Sequence, residues 1–374
     1  MSSHCNPNIV EDGLVFLYDV DDIQSYKGEP TTNVMADPLP TAGWGVSNYL
    51  SSTATRTYSS ENGIPHMEIT NVNVDGSYPR INMANLTSTI TDGFSISFEA
   101  KSSVADAQLY FALYSSGSTK TSQLATLSTE WQRFKFENLT TGFTLDDGYL
   151  RFPSSADSGT VYYIRRMQVE QKSHATPFVN GTRSATQGLI DRTGNETITL
   201  SNLSYDSNAQ MSFDGTDDNL RISDPNVGTS FSIEVVIKVD NYSNGPIFIS
   251  PNSVGIDHFF RVNSNGTIRA NFVEIADSSS DGYTSTTAIN TGEYYHVVIS
   301  KTPSNGTIYV NGVAEDSHTP TLSAAAWTGD WRIGARWNNT FNLNGEIPIL
   351  KVYNQALTAA EVTQNYNATK SRFV

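Results

Sequence analysis

Apolar and polar residues alternate with a period of two through much of this 374-residue chain, and the 3.6-residue period of an amphipathic helix hardly occurs. Phe94-Ser-Ile96-Ser-Phe98 and Phe231-Ser-Ile233-Glu-Val235-Val-Ile237-Lys-Val239 put apolar side chains on one face and mostly polar ones on the other, which predicts half-buried strands. Asn and Gly punctuate the pattern. Ile256-Asp-His258-Phe-Phe260-Arg-Val262 meets Asn263-Ser-Asn265-Gly266 and then Ile268-Arg-Ala270-Asn-Phe272, a hairpin whose turn residues tolerate positive φ. A second hairpin runs from Tyr295-His-Val297-Val-Ile299 through Pro303-Ser-Asn305-Gly306 to Ile308-Tyr-Val310, which ends on Asn311-Gly312. Antiparallel strands at such short spacing predict an all-β chain of two antiparallel jelly-roll sandwiches. One helix is expected, at the C-terminus. Thr358-Ala-Ala-Glu361 is a capping box, and Val362 and Tyr366 then share a face, so the helix should span about Thr358 to Ala368. No heptad, collagen or solenoid repeat marks a fibre shaft.

Composition narrows the partners. Lys plus Arg total 23 against 38 Asp plus Glu, a net charge of −15, and no basic run is available to displace counterions from a phosphate backbone, so nucleic acid is excluded as a partner. Only 16% of residues are charged, and Ser, Thr and Asn supply most of the polarity. Cys5 is the lone cysteine, which rules out an internal disulfide framework and a thiolate metal cluster. The longest apolar stretches, such as Leu109 to Tyr114, fall far short of the ~20 residues that span a bilayer. The opening MSSHCNPNIVEDG has no basic or apolar signal region, and the expectation is a soluble chain, not inserted in a membrane, with no Sec address.

Several segments resemble known families. Met211-Ser-Phe-Asp-Gly-Thr-Asp-Asp218, the strand Phe231-Ser-Ile-Glu-Val, Tyr295-His-Val-Val-Ile, Tyr309-Val-Asn-Gly312, Trp331-Arg-Ile-Gly334 and Gly345-Glu-Ile with Val352-Tyr-Asn-Gln-Ala-Leu-Thr358 resemble the laminin-G-like, concanavalin-type jelly roll. The ending Asn365-Tyr-Asn-Ala-Thr-Lys-Ser-Arg-Phe373 is similar to the tail of that domain in bacteriophage virion proteins. In the middle, Asn33-Val-Met, Gly43-Trp44, Phe94-Ser-Ile-Ser-Phe-Glu-Ala-Lys101, Trp131-Gln-Arg-Phe134 and Met167-Gln-Val-Glu170 with Ala175-Thr-Pro-Phe178 resemble a carbohydrate-binding-module jelly roll. Gly13-Leu-Val-Phe-Leu-Tyr-Asp19 resembles the opening strand of the laminin-G-like domain. In phage relatives that strand runs on into an Asp-x-(Ser/Thr)-Gly-Asn turn, which here stands at Asp191-Arg-Thr-Gly-Asn195. The resemblances interlock if residues 1–31 and 181–374 form one discontinuous laminin-G-like domain and residues 32–180 are inserted into it. Leu14 to Tyr18 should then pair near Glu346 to Tyr353, with Thr32 close to Asn180. The alternative is an N-terminal arm followed by two domains in tandem.

Concanavalin-type folds include glucanases, which place nucleophile and acid on one strand as Glu-x-Asp-x-x-Glu because alternate residues share a face. No such run occurs here. Glu234 is followed by Val-Val-Ile, and Glu274-Ile-Ala-Asp277 has the wrong spacing. Walker, Gly-x-Ser-x-Gly and His-Glu-x-x-His patterns are also missing from the sequence, and His258 reads as a packed strand residue. Not an enzyme is the resulting expectation. Asp214, Asp217 and Asp218 beside Gly215 offer hard oxygen ligands that could hold calcium, or they form a solvated turn.

Sugar rings stack their C–H faces on aromatics while amides and guanidinium groups bond their hydroxyls. Arg336-Trp337-Asn338-Asn339 combines these in one loop, and Trp131, out of phase with Phe134 and Phe136, could be exposed as a second platform. In the carbohydrate-module pattern, however, Trp131 and Trp44 are usually structural. The resemblance and the lone cysteine favour a non-enzymatic phage virion component. It would be assembled in the host cytoplasm and exposed on the particle as a decoration, fibre or tail-associated appendage. Its partners would be other virion proteins, further copies of itself and host surface glycans. A secreted carbohydrate-active enzyme or a cellular lectin is the alternative.

Overall fold

The computed structural model describes residues 9–41, 46–48, 55–70, 79–82, 86, 90–115, 118–140, 147–151, 159–205, 211–251, 258–273, 280–318 and 328–373. Cys5, Trp44 and the Glu274–Asp277 segment lie outside them. The described chain is all-β apart from one C-terminal helix, and it divides into two compact units, Met1–Pro30 with Ser184–Val374, and Thr31–Arg183.

The first unit is a sandwich of an eight-stranded and a seven-stranded antiparallel sheet. The eight-stranded sheet is centred on Asn344–Tyr353, which pairs with Phe231–Asn241 along one edge and with Leu14–Asp19 along the other, in register Leu14↔Tyr353 to Asp19↔Ile349. The seven-stranded sheet orders its strands as Thr199–Ser201, Asn219–Ile222, Trp331–Ile333, Ile247–Pro251, Phe259–Val262, Thr267–Val273 and Ser280–Ala288. Alternate residues of both sheets meet in one core that includes Phe16, Tyr18, Ile233, Val235, Val297, Leu220, Phe248, Phe260 and Trp331, all 1% exposed or less. The expected hairpins are present. Phe259–Val262 pairs with Ile268–Asn271, with Ile256 outside the described residues, and Val297–Lys301 pairs with Gly306–Val310; Asn311-Gly312, with φ of +50° and +79°, then makes a two-residue turn into the next strand that suits the right-handed twist of its flanks.

The Asp191-Arg-Thr-Gly-Asn195 turn clasps the first strand. Leu17 N donates to Asp191 Oδ1 at 3.0 Å, Thr193 Oγ1 and Asn195 Nδ2 both donate to Val15 O, and Asp191 Oδ2 accepts from the backbone of Asn195 and Glu196.

The outer face of the eight-stranded sheet is covered by the helix Ala359–Phe373, and Val10, Val298, Tyr309, Tyr353, Leu357 and Val362 form a small core beneath it. The capping box forms as expected, with Glu361 N donating to Thr358 Oγ1 at 3.3 Å and Thr358 N to Glu361 Oε2 at 2.7 Å. The helix runs past the expected end at Ala368 to Phe373. A tertiary contact holds that last turn, a bidentate pair from Arg372 to Asp19 with both bonds at 2.7 Å.

The second unit stacks two five-stranded antiparallel sheets, Gln132–Leu139 / Phe94–Ser102 / Val161–Glu170 / Ile64–Thr70 / Thr55–Glu61 and Val46–Asn48 / Pro79–Asn82 / Asp147–Arg151 / Ala107–Ser115 / Ser118–Leu127. Its core holds Met67, Ile69, Ile96, Phe98, Phe111, Ile164 and Val169. Its two ends meet in a short ribbon, Thr31–Thr32 against Thr182–Arg183. Next to that ribbon, Asn33 donates to Met167 O at 3.0 Å and Val179 O at 3.1 Å.

Candidate functional site

The strand Trp331–Ile333 ends at Gly334, whose φ of +87° and close approach to the Phe213 ring leave no room for a Cβ. The chain then folds into a tight loop. Arg336 N donates to Thr340 O at 2.9 Å, Asn339 N to Arg336 O at 2.8 Å, and Leu343 N returns to Gly334 O at 2.8 Å. Within this loop Trp337 is 40% exposed and Phe341 43% exposed. Phe341 sits at φ +54°, a region that costs a bulky side chain about 1–3 kcal/mol and that tends to be retained where the resulting presentation is used. The Arg336 guanidinium lies 5.8 Å from the Phe341 ring centre. The loop therefore offers two large aromatic surfaces to solvent, with a cation near the Phe341 ring. Sequence reasoning missed Phe341, whose positive φ has no signal in an aromatic residue.

The loop also rests on the seven-stranded sheet. Trp337 N contacts Ser250 Oγ at 3.4 Å, and Asn339 Oδ1 accepts from Arg332 Nη1 at 3.1 Å and Asn219 Nδ2 at 3.2 Å. Of the four residues picked from sequence, Trp337 is exposed, Arg336 is half-buried near the Phe341 ring, Asn339 turns back onto the sheet, and the Asn338 amide oxygen is taken by Thr340 Oγ1 at 2.6 Å.

Asp214, Asp217 and Asp218 each bring a carboxylate oxygen within 4.8 Å of the others. Asp218 is 1% exposed. Its Oδ2 accepts from Asp214 N at 2.7 Å while its Oδ1 has no hydrogen-bond partner. Burial, reinforced by the charges of Asp214 and Asp217, pushes its carboxyl up to about 6. Three hard anionic oxygens, one of them buried and unsatisfied, suit a calcium ion, and these three residues would hold it.

In the second unit, Trp131 is half-buried on the outer face of its sheet. Its Nε1 donates to Glu61 Oε2 at 2.9 Å, the Arg165 guanidinium lies 3.9 Å from the ring centre, and the Lys101 ammonium lies 5.1 Å away. The exposed platform expected from its phase is thus already stacked by cations of the chain itself. Beside it opens a pocket of about 470 Å³ lined by Glu61, His66, Glu68, Lys101, Tyr163 and several serines. The hydrogen bonds from Lys101 and Trp131 hold the Glu61 carboxyl below its usual range. Burial would raise Glu99, but Arg166 and Arg165 outweigh it and hold that carboxyl down too. A glycosidase needs one carboxyl kept protonated to act as acid, and neither of these two meets that need. Lys101 and Arg165 reach Trp131 from neighbouring strands, a gathering that periodicity does not reveal.

Residues 214–363 match the Laminin_G_3 family model, the concanavalin A-like lectin/glucanases superfamily, and so carry a lectin-like jelly roll of that type. No curated protein matches the chain. Among solved structures, the chain is similar to the botulinum neurotoxin type G receptor binding domain at 18% identity and TM-score 0.40, covering 49% of each chain. It is similar to the binding domain of botulinum neurotoxin DC in complex with SialylT at 16% identity and TM-score 0.41, covering 50% of each. Domain 4 of AbnA, a GH43 extracellular arabinanase from Geobacillus stearothermophilus, in complex with arabinotriose, is matched at 20% identity and TM-score 0.37, over 49% of this chain and 93% of that one. The chain spans about half the length of the toxin domains it matches.

Proposed function

We propose that this chain is a non-enzymatic structural protein of a bacteriophage virion, exposed on the particle as a decoration, fibre or tail-associated appendage, and that its lectin-like domains hold host surface glycans. The observation that carries the glycan reading is the loop 334–343, where Trp337 and Phe341 stand exposed beside Arg336 on a concanavalin-type sandwich. Aromatic faces with adjacent hydrogen-bond donors are what a pyranose ring needs. The virion reading is supported by the C-terminal Asn365–Phe373 segment, similar to phage virion domains, and by an acidic composition with a single cysteine, which suits assembly in a reducing cytoplasm. On a particle, many copies would turn weak single-site binding into firm attachment. The residues resembling a carbohydrate-binding module make the second unit a further lectin-like domain, inserted into the first.

The test is an antibody against the purified chain applied to intact particles of the phage that encodes it, viewed by electron microscopy. Surface labelling is expected. Absence of the chain from purified particles would remove the virion role, and cleavage of a polysaccharide by the purified chain would favour the carbohydrate-active enzyme instead.

A further inference from the structure

On the outer face of the seven-stranded sheet, Arg221 and Arg332 stand directly opposite each other on adjacent strands. Like charges in that register repel, and sheets usually avoid or neutralise them. Among the described residues neither arginine has a carboxylate partner. Arg221 Nε donates to Asn219 Oδ1 at 3.3 Å, and Arg332 Nη1 donates to Asn339 Oδ1 at 3.1 Å, so both forks are held by neutral amides. Of the neighbouring carboxylates, Asp217 accepts from Asn202 at 2.7 Å, Asp218 from the backbone of Asp214 at 2.7 Å, and Asp224 from the backbone of Asn226 and Gly329, while the exposed Asp330 forms no ion pair with either arginine among the described residues. Burial and the charge of Arg221 both press the Arg332 pKa downward, the sign of a cation held where its own field is unfavourable. A second opposed pair, Arg261 and Arg269, lies on the same sheet. In a chain of net charge −15, a face carrying opposed arginines and no ion pair at Arg221 or Arg332 is a local exception with a continuing energetic cost.

Resting on the glycan reading of the neighbouring loop, we infer that Arg221 and Arg332, positioned by Asn219 and Asn339, form a subsite for the carboxylate or sulfate group of an acidic saccharide. Two planar guanidinium forks side by side match the paired oxygens of such a group, and binding would relieve the repulsion between them. Asn339 connects this pair to the loop that presents Trp337, so one saccharide could place its acidic group on the arginines and its ring on the indole. Two arginines with an aromatic and two amides are too small a cationic patch to track a nucleic-acid backbone.

The experiment is a glycan array bearing neutral, uronate- or sialate-containing, and sulfated saccharides, with double-stranded DNA as a polyanion control. It is probed with the full chain and its Arg332→Gln, Arg332→Lys and Trp337→Ala variants, each checked by thermal melting. Selective binding to acidic saccharides is expected. Arg332→Gln should weaken it at least tenfold with little change in the melting temperature, since the repulsion from Arg221 that is removed offsets the lost hydrogen bond to Asn339. Arg332→Lys, which keeps charge but not the fork, should restore only part. A preference for carboxylated or for sulfated probes would identify the source of the anionic group. Neutral saccharides bound equally well by wild type and Arg332→Gln would overturn this inference and leave the glycan reading standing. No saccharide bound by any form would overturn both, and equal binding to DNA would replace the subsite with nonspecific polyanion attraction.

Discussion

Leu17 donates its backbone N–H to the Asp191 carboxylate at 3.0 Å, joining the first strand of the chain to a turn 174 positions later. The same carboxylate accepts from Thr193 N, Thr193 Oγ1, Asn195 N and Glu196 N, and it is 3% exposed. One side chain therefore organises a turn and anchors a strand whose continuation leads into the other compact unit.

Replacing Asp191 with Ala removes the acceptor of five part-buried hydrogen bonds at once. A hydrogen bond contributes about 0.5–1.5 kcal/mol net, and water can reach some of these donors, so a loss of about 2–3 kcal/mol is expected in chemical denaturation of the first unit. Asp191→Asn, which retains one acceptor oxygen, should lose less. Equal and small losses for both variants would show that the clasp contributes little.

Glu234 and Lys351 form a buried ion pair of 2.6 Å across adjacent strands, with His296 Nε2 3.0 Å from the same carboxylate oxygen and Asn365 of the helix donating to the other at 2.5 Å. Lys351→Met would leave Glu234 without its cation and should cost about 3–5 kcal/mol, whereas Glu234→Leu with Lys351→Met should recover much of that. Burial alone would raise the Glu234 carboxyl, but Lys351 and His296 outweigh it and hold it at about 2. A depressed carboxyl contributes stability that is present above its unfolded value and lost as pH falls toward the folded one. Wild type should therefore lose stability between about pH 4.5 and 2 more steeply than the double variant. Parallel acid limbs would contradict this assignment.

Asp218 behaves in the opposite sense. Its carboxyl is raised to about 6, so its contribution is full below the ordinary carboxylate range and declines as pH rises through 6. Melting temperature should rise on going from pH 7.5 to pH 5 in wild type and less so in Asp218→Asn. Millimolar calcium at pH 7.5 should raise the melting temperature of wild type and not of Asp218→Asn. Equal calcium responses would leave Asp214, Asp217 and Asp218 as a solvated turn.

Much of the architecture was legible because it rests on local rules. Alternation placed Ile233, Val235 and Ile237 on the core face, Asn311-Gly312 marked a turn that needs two positive φ values, and Thr358 with Glu361 fixed the start of the helix. The pairing of Leu14–Asp19 with Ile349–Tyr353 was reachable because the Gly13–Asp19 segment and the Asp191–Asn195 turn are halves of one pattern. The end of the helix was not legible, since Arg372 is held there by Asp19 from the other end of the sequence. Nor was the site fully legible. The loop 336–339 was visible as an Arg-Trp-Asn-Asn cluster. The opposition of Arg221 and Arg332 requires knowing that two strands distant in sequence are neighbours, and the cations stacked on Trp131 come from two further strands.

Glycan binding by this chain requires Trp337 to be a ligand platform rather than a packing residue, and the direct measurement is saccharide binding of Trp337→Ala beside its melting temperature. An exposed ring contributes little to the core, so melting should stay within about 2 °C of wild type while glycan binding falls at least tenfold. A melting temperature lowered by many degrees, or glycan binding left intact, would contradict the assignment of the loop 334–343 as the binding surface.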